Sequence, residues 1–422
     1  MREASLRRLG DLFDRRRITL YCRVLLGAEL LVSIFLVAGS YGLIVPLKKP
    51  NTTDFVSFYA AGALVDAGTP ALVYNQARHH AAEERATEDG VEYNFFNYPP
   101  IFLLLCAVLG RLPYLIAFIT FEITTLVLYL LVAREIHGEE GWAALLPIVA
   151  FPAVFWNFGF GQNAFLTAAL FGAGTLFVER RPLLAGVLFG ALCYKPQFGL
   201  LLPIALVAGG YWRVFAAAFT SALALCLLSF VLFGSETWRD FISAAAASTT
   251  SYASGHIPFS GYINPFGAVR LLGGTPTIAF AVQASVIVAA AVLVAFVWRR
   301  DLALPIKAAT LASATLVAAP LAMFYDLLLA AVAALWLLRG NGKDRLRDWE
   351  KIALAALFLL SLSPRTLAEN TGLPIGPSIA LALTAIIAAQ ALRGTALPQN
   401  DAIGKTIAGS AGSALSIAGR AG

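Results

Sequence analysis

Long apolar runs recur along this chain, and its charges are confined between them. Many of these runs reach or approach the ~20 residues that a helix needs to cross the hydrocarbon core of a bilayer. They also contain Gly, Pro, Ser and Thr, as membrane helices do. Composition agrees: 59% of residues are hydrophobic and 13% charged, against roughly 45–50% and 25% in a soluble domain. A membrane β-barrel would show short alternating segments instead, so the spanning elements are helices. The expected fold class is an all-α polytopic membrane protein with about 12 transmembrane helices.

Charge bias orients these helices, because Arg and Lys near membrane ends favour the cytoplasm. Residues 1–23 are basic (Arg7, Arg8, Arg15, Arg16, Arg17, Arg23) and are expected inside. The run 24–46 that follows is too long for a cleavable signal and reads as an anchor. Further spans are expected at 114–133, 142–158, 164–178, 183–194, 198–210, 214–233, 277–297, 303–319, 326–338, 352–362 and 374–392. The transmembrane region is then 24–393, with external loops at about 47–113 and 234–275. The tail 394–422 is rich in Gly, Ala and Ser and reads as flexible. Residues 99–110 are apolar but short, and are read as a helix on the outer surface. If they crossed, Arg180, Arg181, Arg299, Arg300, Lys343, Arg345, Arg347 and Lys351 would all lie outside.

That topology gathers the unusual polar residues on the external side, where an ionisable group near a bilayer is a functional candidate. Asp54 stands where the first external loop leaves the anchor. It can take a proton from a hydroxyl or merely cap the helix that begins at Phe55. Lys195 and Arg270 can neutralise a phosphate, or they can snorkel to headgroups. Arg365 reads most simply as a headgroup contact. Gln162 and Asn163 can bind a sugar hydroxyl or cap a helix. Tyr98, before Pro99-Pro100, is a candidate substrate contact, and Pro at a helix start is common for structural reasons. Asp326 can be catalytic, capping or ion-paired. His256 is a lone loop histidine, while His79 and His80 lie beside Glu83 and Glu84.

The cysteines (Cys22, Cys106, Cys193, Cys226) lack metal-ligand spacing and read as packing residues. The net charge of +6 reflects cytoplasmic basic residues rather than nucleic-acid binding. Phosphate-binding and dinucleotide Gly-rich loops, zinc-protease motifs and a nucleophile elbow are all absent from the sequence.

Taken in order, Asp54-Phe55, Phe58-Tyr59-Ala60-Ala61-Gly62, Leu72-Val73-Tyr74, Tyr98-Pro99-Pro100, Gly161-Gln162-Asn163 and Lys195-Pro196 resemble the polyprenol-phosphate-dependent enzymes of glycosyltransferase family 87. The similarity covers roughly residues 50–330. It implies the C-type membrane glycosyltransferase fold, with juxtamembrane helices in the first external loop. It also implies an inverting transfer of a mannose-like hexose from a polyprenyl-phosphate sugar to a lipid or glycan acceptor hydroxyl. Asp54 would be the base, and Tyr59, Tyr98, Gln162, Asn163, Lys195, Arg270 and Asp326 would contact substrates. No metal or cofactor is required. The location implied is a bacterial plasma (inner) membrane, with the site facing the periplasm or exterior. Mannosyltransferases of this family carry a histidine near the external end of a late helix, where this chain reads Pro320 to Asp326 without one. The competing class is a transporter or lipid flippase, which would place its polar groups near the midplane. A third is a structural membrane subunit.

Overall fold

A computed structural model of the chain describes residues 15–40, 53–138, 145–255, 257–341 and 346–396. Residues 1–14 of the basic N-terminus, 41–52 after the anchor, 139–144, His256, Lys343, Arg345 and 397–422 of the tail lie outside them. The described chain is helical, and its one pairing of extended backbone is an isolated bridge between Tyr262 and Met323.

The run expected as an anchor overlaps α1 (Arg15–Ser40), and the stretch expected as the first loop carries α2 (Phe55–Asp66), α3 (Gln76–Ala86) and the short α4 (Leu103–Leu109). Next come α5 (Tyr114–His137), α6 (Leu146–Val149), α7 (Pro152–Phe160), α8 (Ala164–Phe177), α9 (Pro182–Ala191) and α10 (Leu202–Ala208). The second half holds α11 (Trp212–Ser254), α12 (Pro265–Leu271), α13 (Pro276–Arg299), α14 (Leu304–Ala318) and α15 (Leu328–Asn341). It ends with α16 (Asp348–Leu360), α17 (Pro364–Thr371) and α18 (Ile375–Ala396). Proline starts many of these helices, at a position whose missing N–H has no intrahelical partner anyway.

Four described helices are long and apolar enough to cross a bilayer alone: α5, α11, α13 and Ile375–Arg393 of α18. Together α16 and α17 pass the same test, but they meet at 82°. The other apolar segments form shorter helices. On α5, Leu115, Ile116, Ile119, Ile123, Val127 and Leu131 are exposed, as a lipid-facing stripe should be. This is an integral membrane protein.

The core is built around α14, which is buried from Lys307 to Ala318 and packs against α13, α15 and α18. Small residues let other helices approach closely. A Cβ on Gly186 of α9 would sit 2.4 Å from the Ala217 side chain of α11. A Cβ on Gly62 of α2 would sit 2.0 Å from the Cys106 carbonyl oxygen of α4. The short α4 therefore serves as a bed for α2 rather than as a span. The stretch expected as the second loop, 234–275, is largely helical instead. Gly234, at φ 81°, kinks α11, which then continues to Ser254.

Candidate functional site

At one end of the bundle the start of α2, the α7–α8 turn, the 3-10 turns around Lys195, the link from α14 to α15 and the start of α17 converge. They enclose a cavity of about 560 Å³, within the size range of small-molecule sites. Asp54, Tyr98, Gln162, Lys195, Asp326 and Arg365 all line it.

The α7–α8 turn holds Asp54 from two sides. The Asp54 backbone N–H donates to the Phe160 carbonyl at 2.8 Å, and Gln162 Nε2 donates to Asp54 Oδ2 at 2.7 Å. Tyr98 Oη donates in turn to Gln162 Oε1 at 3.4 Å. Gly161 makes the approach possible. It closes α7 at φ 64°, and a Cβ there would meet the Phe55 Cβ at 2.8 Å. Asp54 is itself in helical conformation, and its side chain makes no capping bond. Its carboxylate is therefore free of the capping role. Burial raises the pKa of Asp54 above its ordinary value, while the Gln162 amide and the charge of Arg365 oppose that rise.

Elsewhere in the lining Lys195 Nζ donates to Asp326 Oδ1 at 3.0 Å, both side chains being buried. The remaining Asp326 oxygen accepts from the Met323 N–H at 3.0 Å. Of the readings open to Asp326, capping and ion pairing are both realised. Lys195 is not snorkelling: its ammonium lies over the rings of Phe198 and Tyr325. Leu321, beside this pair in the cavity wall, has φ 63°, a costly value for a residue with a side chain.

Arg365 enters the cavity because of the bend between α16 and α17. Its Nε donates to Glu369 Oε1 at 2.8 Å, and Ser260 Oγ donates to the same oxygen at 3.1 Å. This guanidinium was the one read as a headgroup contact. Its signal in the sequence was Ser363-Pro364, where the helix breaks.

Three expected contacts stand apart from the cavity wall. Tyr59 turns away, its Oη donating to the Leu112 carbonyl at 2.9 Å, with its ring against Tyr114. Arg270 spends its guanidinium on the carbonyls of Gly274 (2.6 Å) and Ala253 (3.1 Å) and stacks on Phe259. Of these acceptors, Ala253 lies in the last turn of α11, where carbonyls lack intrahelical donors. Asn163 is fully buried behind the wall, with its amide beside Tyr98. Its neighbour Ala164 is capped by Asn157 rather than by Asn163.

The fold and the cavity together define a helical membrane protein with a largely apolar, aromatic-lined site that carries a few charged groups. A family model of glycosyltransferase family 87 matches residues 95–323, more than half of the chain. The chain belongs to this family and is a glycosyltransferase. The matched region holds Tyr98, Gln162, Asn163, Lys195 and Arg270; it begins after Asp54 and ends before Asp326. No curated protein and no solved structure matches the chain significantly.

Proposed function

We propose that the enzyme transfers a mannose-like hexose from a polyprenyl-phosphate sugar to an acceptor hydroxyl on the external face of the membrane, with inversion. In this scheme Asp54 accepts the hydroxyl proton, and the acceptor oxygen bonds to the anomeric carbon. The bond from that carbon to the phosphate oxygen breaks, and polyprenyl phosphate leaves with the electron pair. The observation that carries the proposal is a single cavity lined by two carboxylates and two cations, in which Asp326 is paired with Lys195 and Asp54 is held only by the Gln162 amide. Asp54 lies on one wall, and Lys195 and Arg365 lie elsewhere around the same space. A base whose pKa burial has raised is better matched to taking a proton near neutral pH.

Cations facing the leaving phosphate supply the electrostatic stabilisation on which such transfers depend. We assign that role to Arg365 and to the remaining N–H groups of Lys195. Arg270 is set aside, since it does not line the cavity and its two terminal nitrogens are turned onto backbone carbonyls. Phe241, Ala244, Ala245 and Ser248 on the outer part of α11 line the cavity and offer the lipid tail a wall. The short helices would complete about twelve crossings and leave the cavity outside, on a bacterial inner membrane.

The test is transfer of labelled hexose from polyprenyl-phosphate donors in membranes, with wild type and Asp54→Asn compared at equal folded abundance. Loss of a general base should cost about 10²–10⁴-fold in rate. Undiminished transfer by Asp54→Asn would remove Asp54 from the mechanism. Absence of transfer by wild type across polyprenyl-phosphate hexoses would remove the donor class.

A further inference from the structure

Glu122 is the ninth residue of α5, about 12 Å along a helix that crosses the bilayer. It is fully buried. A carboxyl group at such a place is costly and marks function more often than packing. Its Oε2 accepts from Asn157 Nδ2 at 3.3 Å, and its Oε1 has no hydrogen-bond partner.

Asn157 leads directly to the site. It is fully buried in α7 and uses every polar group it has besides its own helical N–H. Its Oδ1 accepts from the Ala164 N–H at 2.8 Å, capping α8. Its backbone carbonyl accepts from the Gln162 N–H at 3.0 Å. Asn157 thus holds the turn 161–163 twice, with its side chain at Ala164 and its backbone carbonyl at Gln162, and Gln162 in that turn holds Asp54. The Ala164 N–H can only donate, so it takes Oδ1 and leaves Nδ2 pointing away from the turn. Glu122 supplies the acceptor that this buried Nδ2 needs and so anchors the amide in place.

We propose that Glu122 and Asn157 are positioning residues of the transferase: a buried acid and amide that set the turn presenting Gln162 to Asp54. The inference rests on Asp54 as the base. Neither residue touches substrate, so their loss should lower kcat and leave the donor KM unchanged.

The test exchanges the two groups. Asn157→Asp keeps the acceptor for Ala164 but replaces the amide donor by a second buried carboxyl facing Glu122, so that two like groups compete for one proton. Labelled-hexose transfer by the full-length protein should fall about 10–100-fold in kcat, as expected of a small misplacement at a reacting centre. Adding Glu122→Gln restores the hydrogen bond with its direction reversed, and kcat should return to within about threefold of wild type. A merely structural site would not show this rescue at equal folded abundance. If the reversed pair is no more active than Asn157→Asp alone, the inference is overturned. Should Asn157→Asp fail to fold, Glu122→Gln and Glu122→Leu decide. The Gln variant keeps an acceptor and should hold its rate, whereas the Leu variant should lose about tenfold or more. Equal rates for the two would sink the idea. Asp54→Asn separates the inference from its premise. Full transfer there removes the base and the inference with it, whereas lost transfer there without rescue in the reversed pair overturns the positioning role alone.

Discussion

Lys195 and Asp326, 131 positions apart in sequence, meet at 3.0 Å in a buried ion pair on the cavity wall. Both Asp326 oxygens are occupied, one by Lys195 and one by the Met323 N–H. Removing a single partner leaves a charge in a place with little water to receive it. Such losses cost about 3–5 kcal/mol, whereas replacing both partners by apolar groups is often tolerated. Lys195→Met should therefore lower unfolding stability in detergent by that amount, and Lys195→Met with Asp326→Leu should lower it less. A double variant as unstable as the sum of its singles would mean that the pair is not coupled.

Asp54→Asn should separate activity from stability. The carboxyl pKa of Asp54 is raised in the folded state, so the native protein binds its proton more tightly than the unfolded chain does. Stability is then lost as pH rises from the ordinary carboxylate value through the raised one, and the full loss is present above it. Asn carries no such cost. At neutral pH its melting temperature should equal or exceed that of wild type while transfer falls by about 10²-fold or more. Thermal unfolding beside the transfer assay checks this, and a large drop in melting temperature would assign Asp54 a structural role.

Gln162→Leu should move the acidic limb of the rate profile. The Gln162 N–H favours ionised Asp54, so its removal raises the pKa of Asp54 further. The base form then appears at higher pH, and the rising limb shifts to the alkaline side. Arg365→Gln should shift it the same way but less, since the guanidinium is about 40% exposed and screened by solvent. A limb that stays in place in both variants would mean that another group titrates.

Helices were the most legible part of this chain, because uncharged apolar runs have few other ways to satisfy their backbone in a membrane. The segments expected at 114–133, 164–178, 277–297 and 303–319 all overlap helices of the structure. The helical stretch after Gly234 was hidden by its small, weakly apolar residues, Ser243 to Ser248, which do not resemble a span. Asp54, Gln162 and Lys195 could be singled out because polar groups at the ends of apolar runs are conspicuous. Sequence could not tell which arginine reaches the cavity. Arg270 and Arg365 each sit in a short amphipathic stretch, and only the 82° bend before α17 and the carbonyls around Arg270 separate them. Glu122 did carry a signal, as an acid within an apolar run, but its link to Asp54 passes through Asn157 and appears only in three dimensions.

The first loop should give the enzyme a pH-dependent stability of its own. His79 and Glu83 lie one turn apart on α3, both side chains fully buried, with Nδ1 and Oε1 3.6 Å apart. Burial pushes His79 down to about 4 and Glu83 up to about 8, so both are neutral near pH 7. His79 Nε2 meets the Ser57 carbonyl of α2 at 3.1 Å, and Glu83 Oε2 accepts from the Asn94 N–H at 3.1 Å. This pair therefore ties α3 to the helix that Asp54 opens. Between 4.5 and 8 the folded state keeps a Glu83 proton that the unfolded chain has shed, so stability falls as pH rises through that window. Between 6.5 and 4 the unfolded chain gains a His79 proton that the folded state refuses, so stability falls as pH drops. Glu83→Gln removes the first loss and keeps the second. Its melting temperature should gain on wild type from about pH 5 to about pH 8.5, in melts of detergent-solubilised protein. A difference between the two proteins that stays constant over that range would mean that Glu83 is ionised and paired with a protonated His79.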